Sequence, residues 1–258
     1  MNLCYLNEEL NSKIKTTIFT KNDIELFIRG FLSFLGISNE LKCINYVIDR
    51  KGNLARYNYI THNLNIDYDA LIDDANEGYG KDSDCELILF TNIMIILSLV
   101  HEITHIYQYA HKDDNSLPYT IMKREFGLFK ILEDEEYNKY WGYFTCEREA
   151  VINSFEYILF LLRTVIKNEE MYDYFFANLV DNLTSCYKVK KKEVISPLQV
   201  INKRFMKNST QSINLNDIYE SLKYGYPINR KEYDEYKKNK ETIVIKKITC
   251  MNNKDMLS

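Results

Sequence analysis

The 258-residue chain is poor in turn-formers, with 8 glycines and 3 prolines. A β-sandwich or barrel needs many tight hairpins, so this shortage excludes both and favours a helical or α+β fold. Six cysteines (Cys4, Cys43, Cys85, Cys146, Cys186, Cys250) are dispersed without a C-x-x-C pair. That spacing argues against a disulfide framework and against cysteine-held zinc, and reduced thiols in the cytoplasm are expected. The N-terminal stretch from Met1 to Glu9 has neither a basic nor an apolar region, so no secretory signal is expected. No long uninterrupted apolar run exists either. The longest, Leu87 to Val100, contains Thr91 and Asn92 and is too short to span a bilayer, so it is read as a buried helix and no membrane partner is expected.

What is present is ordinary globular material: 46% apolar and 27% charged residues, far from the composition of disordered chains. Charge is divided unevenly. Residues 1–187 hold 17 basic against 29 acidic residues, a net of −12, whereas 188–258 hold 16 against 8, a net of +8. A basic tail packing on an acidic body explains this more simply than nucleic-acid binding, and no RRM, KH or zinc-finger pattern points to a nucleic-acid partner. The split divides the chain into a core, 1–187, and a basic C-terminal lobe, 188–258.

Periodicity places helices at 3–15 and 23–35, the second opening at Asn22 or Asp23 and closing at Gly36. Lys42–Arg50 and Leu54–Thr61 read as a hairpin around Lys51-Gly52-Asn53. Asn63–Ile72, with Leu64, Ile66, Tyr68, Ala70 and Ile72 alternating, reads as a further strand, followed by an acidic loop to Asp84 that fails the EF-hand pattern. A long helix runs from Cys85 to about Lys112, apolar nearly all round in its first half. Helices are expected at 119–140, 146–167 and 171–187, and the tail suggests two more with a strand at Thr242–Ile248.

Two of the four histidines lie in His101-Glu102-Ile103-Thr104-His105, an H-E-x-x-H pattern on the long helix. Positions i and i+4 share a helix face, so both imidazoles can address one ion, and the intervening Glu102 can act as general base towards a zinc-activated water. Two histidines and a buried acid on an apolar helix would be costly to desolvate without a cation.

A catalytic site needs a third protein ligand. Cys146-Glu147-Arg148-Glu149-Ala150 contains an acid three residues before a small Ala at the start of the next apolar helix. With the H-E-x-x-H pattern, this resembles the E-x-x-A of gluzincin metallopeptidases. The resemblance covers residues 23–167 and includes the compact intracellular kind such as the ImmA/IrrE type. It implies a zincin-like α+β core with a small mixed sheet over the zinc helix, followed by a mostly helical C-terminal lobe. It also implies Zn²⁺ held by His101, His105 and Glu147, with Glu149 left as an exposed helix-start acid. The usual E-x-x-A-D extension is broken by Val151, so His orientation must come from elsewhere.

His111 is the rival ligand, because His101, His105 and His111 have metzincin spacing. Gln108 stands where that pattern has Gly, so the helix should continue and carry His111 about 9 Å beyond His105. The resulting expectation is an intracellular zinc endopeptidase acting on a peptide or protein substrate. Tyr143, Tyr107 and His111 are candidate oxyanion stabilisers. Asn63–Ile72 is the candidate edge strand for pairing with substrate, and Asp67, Asp69, Asp73, Asp74 and Glu77 are expected to make the cleft rim favour basic peptides. The alternative from another class is a non-catalytic binding protein retaining a zincin fold.

Overall fold

The computed structural model describes residues 8–49, 53–78, 84–113 and 144–186, together with 122, 123, 125, 126 and 141. The expected helix at 119–140, the whole of the basic lobe and the boundary at 187/188 lie outside the described residues, apart from those few positions. The fold is α+β, mostly helical, with a three-stranded sheet. Two compact units are present. Of the described residues, the first takes those up to Ala110 together with Asn153–Tyr172, and the second takes those within His111–Ile152 and from Asp173 to Cys186.

The first unit opens with α1 (Glu8–Lys13) and α2 (Lys21–Leu35). The cap of α2 is Thr20, ahead of the expected Asn22 or Asp23, because Thr20 and Asp23 form a reciprocal box. The Asp23 N–H donates to Thr20 Oγ1, and the Thr20 N–H donates to Asp23 Oδ2 at 2.9 Å. Gly36 ends the helix as expected, at φ 73°, where a Cβ would be strained. The apolar stripe Ile24, Phe27, Ile28, Phe31 and Leu35 is buried, and Phe27 and Phe31 lie against Tyr157, with ring centroids 6.3 and 5.4 Å away.

The sheet differs from the sequence reading. Strands β1 (Cys43–Tyr46), β2 (Ala55–Asn58) and β3 (Asn63–Ile66) are ordered β1-β3-β2, with β3 parallel to β1 and antiparallel to β2. The expected β1–β2 hairpin does not form. Leu64 and Ile66 are fully buried, so β3 takes the central place and separates the other two. The hairpin joins β2 to β3, its turn closing through His62 at φ 59°.

The strand expected to run to Ile72 stops at Ile66. The Asp67 side chain accepts the N–H groups of Ala70 at 3.1 Å and Asp49 at 2.7 Å, capping α3 (Tyr68–Gly78). The Asx cap turns a period-2 pattern into a helix start.

Helix α4 (Asp84–Ala110) matches the expected long helix and packs against α2, α3 and β2. It is long and apolar enough to cross a membrane by length and composition, but 61% of its most apolar window is buried inside the protein, as in a core helix. Ile93, Ile96, Leu99, Val100, Ile103 and Ile106 are buried. Asn92, on the same helix, ties down the chain after α1. Its Oδ1 accepts the Phe19 N–H at 2.8 Å, and its Nδ2 donates to the carbonyls of Ile14 and Thr17 at 3.0 and 2.9 Å.

In the second unit a turn at His111–Asp113 follows α4. Helix α5 (Thr145–Phe160) starts here and runs on into a π-helical turn, Leu161–Ile166. Helix α6 (Glu169–Cys186) begins after Asn168, whose side chain accepts the Met171 N–H at 3.0 Å. These helices meet the expected 146–167 and 171–187 segments.

Candidate metal centre

Helix α4 presents His101 and His105 one turn apart, both half-buried. Their Nε2 atoms stand 3.1 Å apart with the rings at 84° to one another. Two ligands at ~2.0–2.1 Å from a tetrahedral zinc are separated by about 3.3 Å, so the pair is spaced as zinc ligands require. The Glu102 carboxylate lies in the same group, with one ligand atom from each of the three residues within 4.8 Å of the others.

Glu102 is only 8% exposed, and its Oε2 accepts the backbone N–H of Tyr57 at 2.6 Å. The N–H comes from β2, the edge strand that packs on α4, and points away from β3. One oxygen of the acid is thereby tied to the sheet. Tyr57 itself is locked in place. Its hydroxyl donates to the Glu40 carbonyl at 3.2 Å, with His62 Nδ1 at the same distance from the phenol oxygen. Burial foremost, then the Glu40 and Tyr109 charges, push the phenol pKa well up, so it stays a donor across physiological pH.

His105 has a second contact. Its Nδ1 lies 2.9 Å from Oε1 of Gln108, a fully buried residue one turn further along α4. Gln108 is thereby placed to orient the His105 ring from the same helix. Neither Tyr57 nor Gln108 was visible as a site residue in the sequence. A backbone donor leaves no side-chain signal, whereas the i, i+3 spacing of Gln108 from His105 could have found the second.

The helix continues through Gln108 to Ala110, as its lack of a glycine implies, and His111 falls in the turn beyond. Glu147 lies in the other unit, in the first turn of α5, 2% exposed. Glu149, expected to be exposed, is a correction: it is 5% exposed, and Arg148 between the two acids is 1% exposed. The start of α5 is held by Glu125, whose two oxygens accept the N–H groups of Thr145 and Cys146 at 2.7 and 3.0 Å. Burial raises the Glu125 carboxyl above its ordinary range, against the pull of these two donors. Burial, and then the neighbouring Glu125 and Glu147, raise the Cys146 thiol well above its usual value, so it is a poor thiolate.

The substrate strand also needs correction. Asn63–Ile66 is the central strand, paired on both sides, and offers no free edge; the edge strand packed on α4 is β2. Asp67 is a buried cap, and Asp69, Asp73, Asp74 and Glu77 project from α3 instead of a strand. The expected acidic rim beside a substrate strand loses its basis. Of the oxyanion candidates, Tyr143 lies outside the described residues and Tyr107 is a half-buried residue of α4. Comparison with family models, with curated proteins and with solved structures returned no match, so the chemistry is read from these residues alone.

Proposed function

We propose that this protein is a zinc-dependent endopeptidase of the gluzincin kind, acting on a peptide or protein substrate in the cytoplasm. The observation that carries the reading is the convergence of His101 and His105 through Nε2 atoms 3.1 Å apart, beside a Glu102 carboxylate pinned by an edge-strand N–H. His101 and His105 would hold the ion. Glu147 is the third ligand on the strength of the E-x-x-A pattern. When bound, Zn²⁺ supplies a Lewis acid that polarises the scissile carbonyl and lowers the pKa of water.

The chain's own residues do the rest. Glu102 takes the proton from the attacking water and returns it to the leaving amine, a role suited to a carboxylate held in one orientation with one oxygen already satisfied. An extended peptide would add to the outward edge of β2 through groups other than the Tyr57 N–H, which Glu102 already holds. Cys43 is an exposed free thiol, in keeping with a reducing compartment.

Metal analysis of the purified protein tests the reading. Close to one zinc per chain is expected, with most of it lost in His101→Ala, His105→Ala and Glu147→Ala and kept in Glu149→Ala and His111→Ala. A wild-type chain that takes up no zinc overturns the proposal. Loss in His111→Ala with retention in Glu147→Ala replaces the third ligand. Zinc retained without hydrolysis of any peptide favours the binding-protein alternative.

A further inference from the structure

An imidazole can bind metal through Nε2 only if its proton sits on Nδ1, and in a free histidine the two neutral tautomers compete. Something must therefore hold the proton on the far nitrogen. Metal-binding histidines generally meet this need with an acceptor on the second ring nitrogen. The E-x-x-A-D pattern that would supply a carboxylate is broken here at Val151.

On α4, Gln108 follows His105 by three residues, the spacing at which helix side chains meet. It has no solvent exposure, and its Oε1 lies 2.9 Å from His105 Nδ1. A buried primary amide needs partners of its own, so this contact serves both groups. The carbonyl oxygen can only accept. The proton then resides on His105 Nδ1, and the Nε2 lone pair points towards His101 Nε2, 3.1 Å away, where an ion would sit. The reverse amide orientation would present NH₂ to Nδ1, force the proton onto Nε2 and leave His105 unable to bind metal through that atom.

We propose that Gln108 is a positioning residue that holds His105 in its metal-binding tautomer, in the place of the Asp missing from the E-x-x-A-D pattern at Val151. The inference rests on the reading of this site as a metal centre. A helix of this kind then carries the two ligands, the base and its own orienting group within eight consecutive residues, His101 to Gln108.

Two measurements on the full chain test it. The first is zinc affinity by chelator competition for wild type, Gln108→Met, which has a similar length but no strong acceptor, and Gln108→Glu, which restores one. Gln108→Met should weaken zinc binding about 10–100-fold, and Gln108→Glu should bind within a few-fold of wild type. The second is the protonation of each His105 ring nitrogen, read from histidine ¹⁵N correlations of the metal-free wild type at a pH where imidazole is neutral. Nδ1 should carry the proton.

Equal zinc affinity in Gln108→Met and wild type overturns the inference, as does an equal loss in Gln108→Glu and Gln108→Met. A proton on Nε2 of wild-type His105 overturns it without any variant, so a Gln108→Met chain that fails to fold leaves the question decidable. Wild type without zinc affinity removes the proposed function, while the tautomer still decides the role of Gln108.

Discussion

Helix α4 and the first half of α5 both bury polar side chains, and they do so differently. Along α4, Asn92 makes three hydrogen bonds to the chain at Ile14–Phe19, Thr104 Oγ1 donates to the Val100 carbonyl at 2.8 Å, Gln108 meets His105, and Glu102 meets Tyr57. Along α5, Glu147, Arg148 and Glu149 are buried in succession, followed by Asn153, whose amide oxygen and nitrogen have no hydrogen-bond partner. On the first helix these four groups are each met by a neighbour, whereas its buried Thr91 Oγ1 has no hydrogen-bond partner. The other concentrates charge, which is expensive unless it serves a site or a specific pairing.

The largest effect that sharpens the contrast is chemical. Glu102→Gln should keep fold and zinc, because the residue is base and not ligand, while hydrolysis falls by about 10²–10⁴-fold. Steady-state kinetics beside metal content reads this, and activity within a few-fold of wild type would remove Glu102 from the mechanism.

Next comes the scaffold itself. Asn92→Leu keeps the branched shape but leaves the Phe19 N–H and the Ile14 and Thr17 carbonyls without their partner. A loss of about 3 kcal/mol is expected by denaturant unfolding. A neutral result would mean that the polar groups of α4 are no better used than those of α5.

A smaller effect is expected where Glu125 caps α5. Glu125→Ala should cost about 1–2 kcal/mol by leaving the Thr145 and Cys146 N–H groups unmet. The pH dependence has a definite sign. A carboxyl whose folded pKa is raised contributes most below its unfolded value, near 4.3, and that contribution is lost as pH rises through the folded value. Glu125→Gln should abolish this falling limb in a stability-versus-pH series, and an unchanged series would show that Glu125 is not its source.

The smallest change should be favourable. Asn153→Leu removes two buried polar atoms without hydrogen bonds and should raise stability by about 1 kcal/mol in thermal unfolding. Destabilisation instead would mean that the amide is used, and the contrast with Asn92 would fail.

Much of this architecture could be read before any coordinates. The apolar pattern of α4, the Gly36 stop and the start of α5 near Cys146 are local signals, and each element formed within a residue or two of expectation. The sheet was legible only in part. Strand positions follow from alternation, but β1, β2 and β3 look alike to a local pattern, and which one takes the centre depends on Leu64 and Ile66 finding the core. Asn63–Ile72 failed as a strand because one Asx cap at Asp67 outweighed a run of alternating residues.

The sequence by itself determined the helical spacing of His101, Glu102 and His105, since 3.6 residues per turn places i and i+4 side by side whatever surrounds them. It likewise determined that α4 runs past Gln108, for want of a glycine or proline to stop it. Only the tertiary structure decided that the Tyr57 N–H anchors Glu102, that β3 separates β1 from β2, and that Glu149 is buried. Those outcomes join residues 20 or more positions apart or depend on what covers a helix face, and a local pattern holds no information about its distant partners.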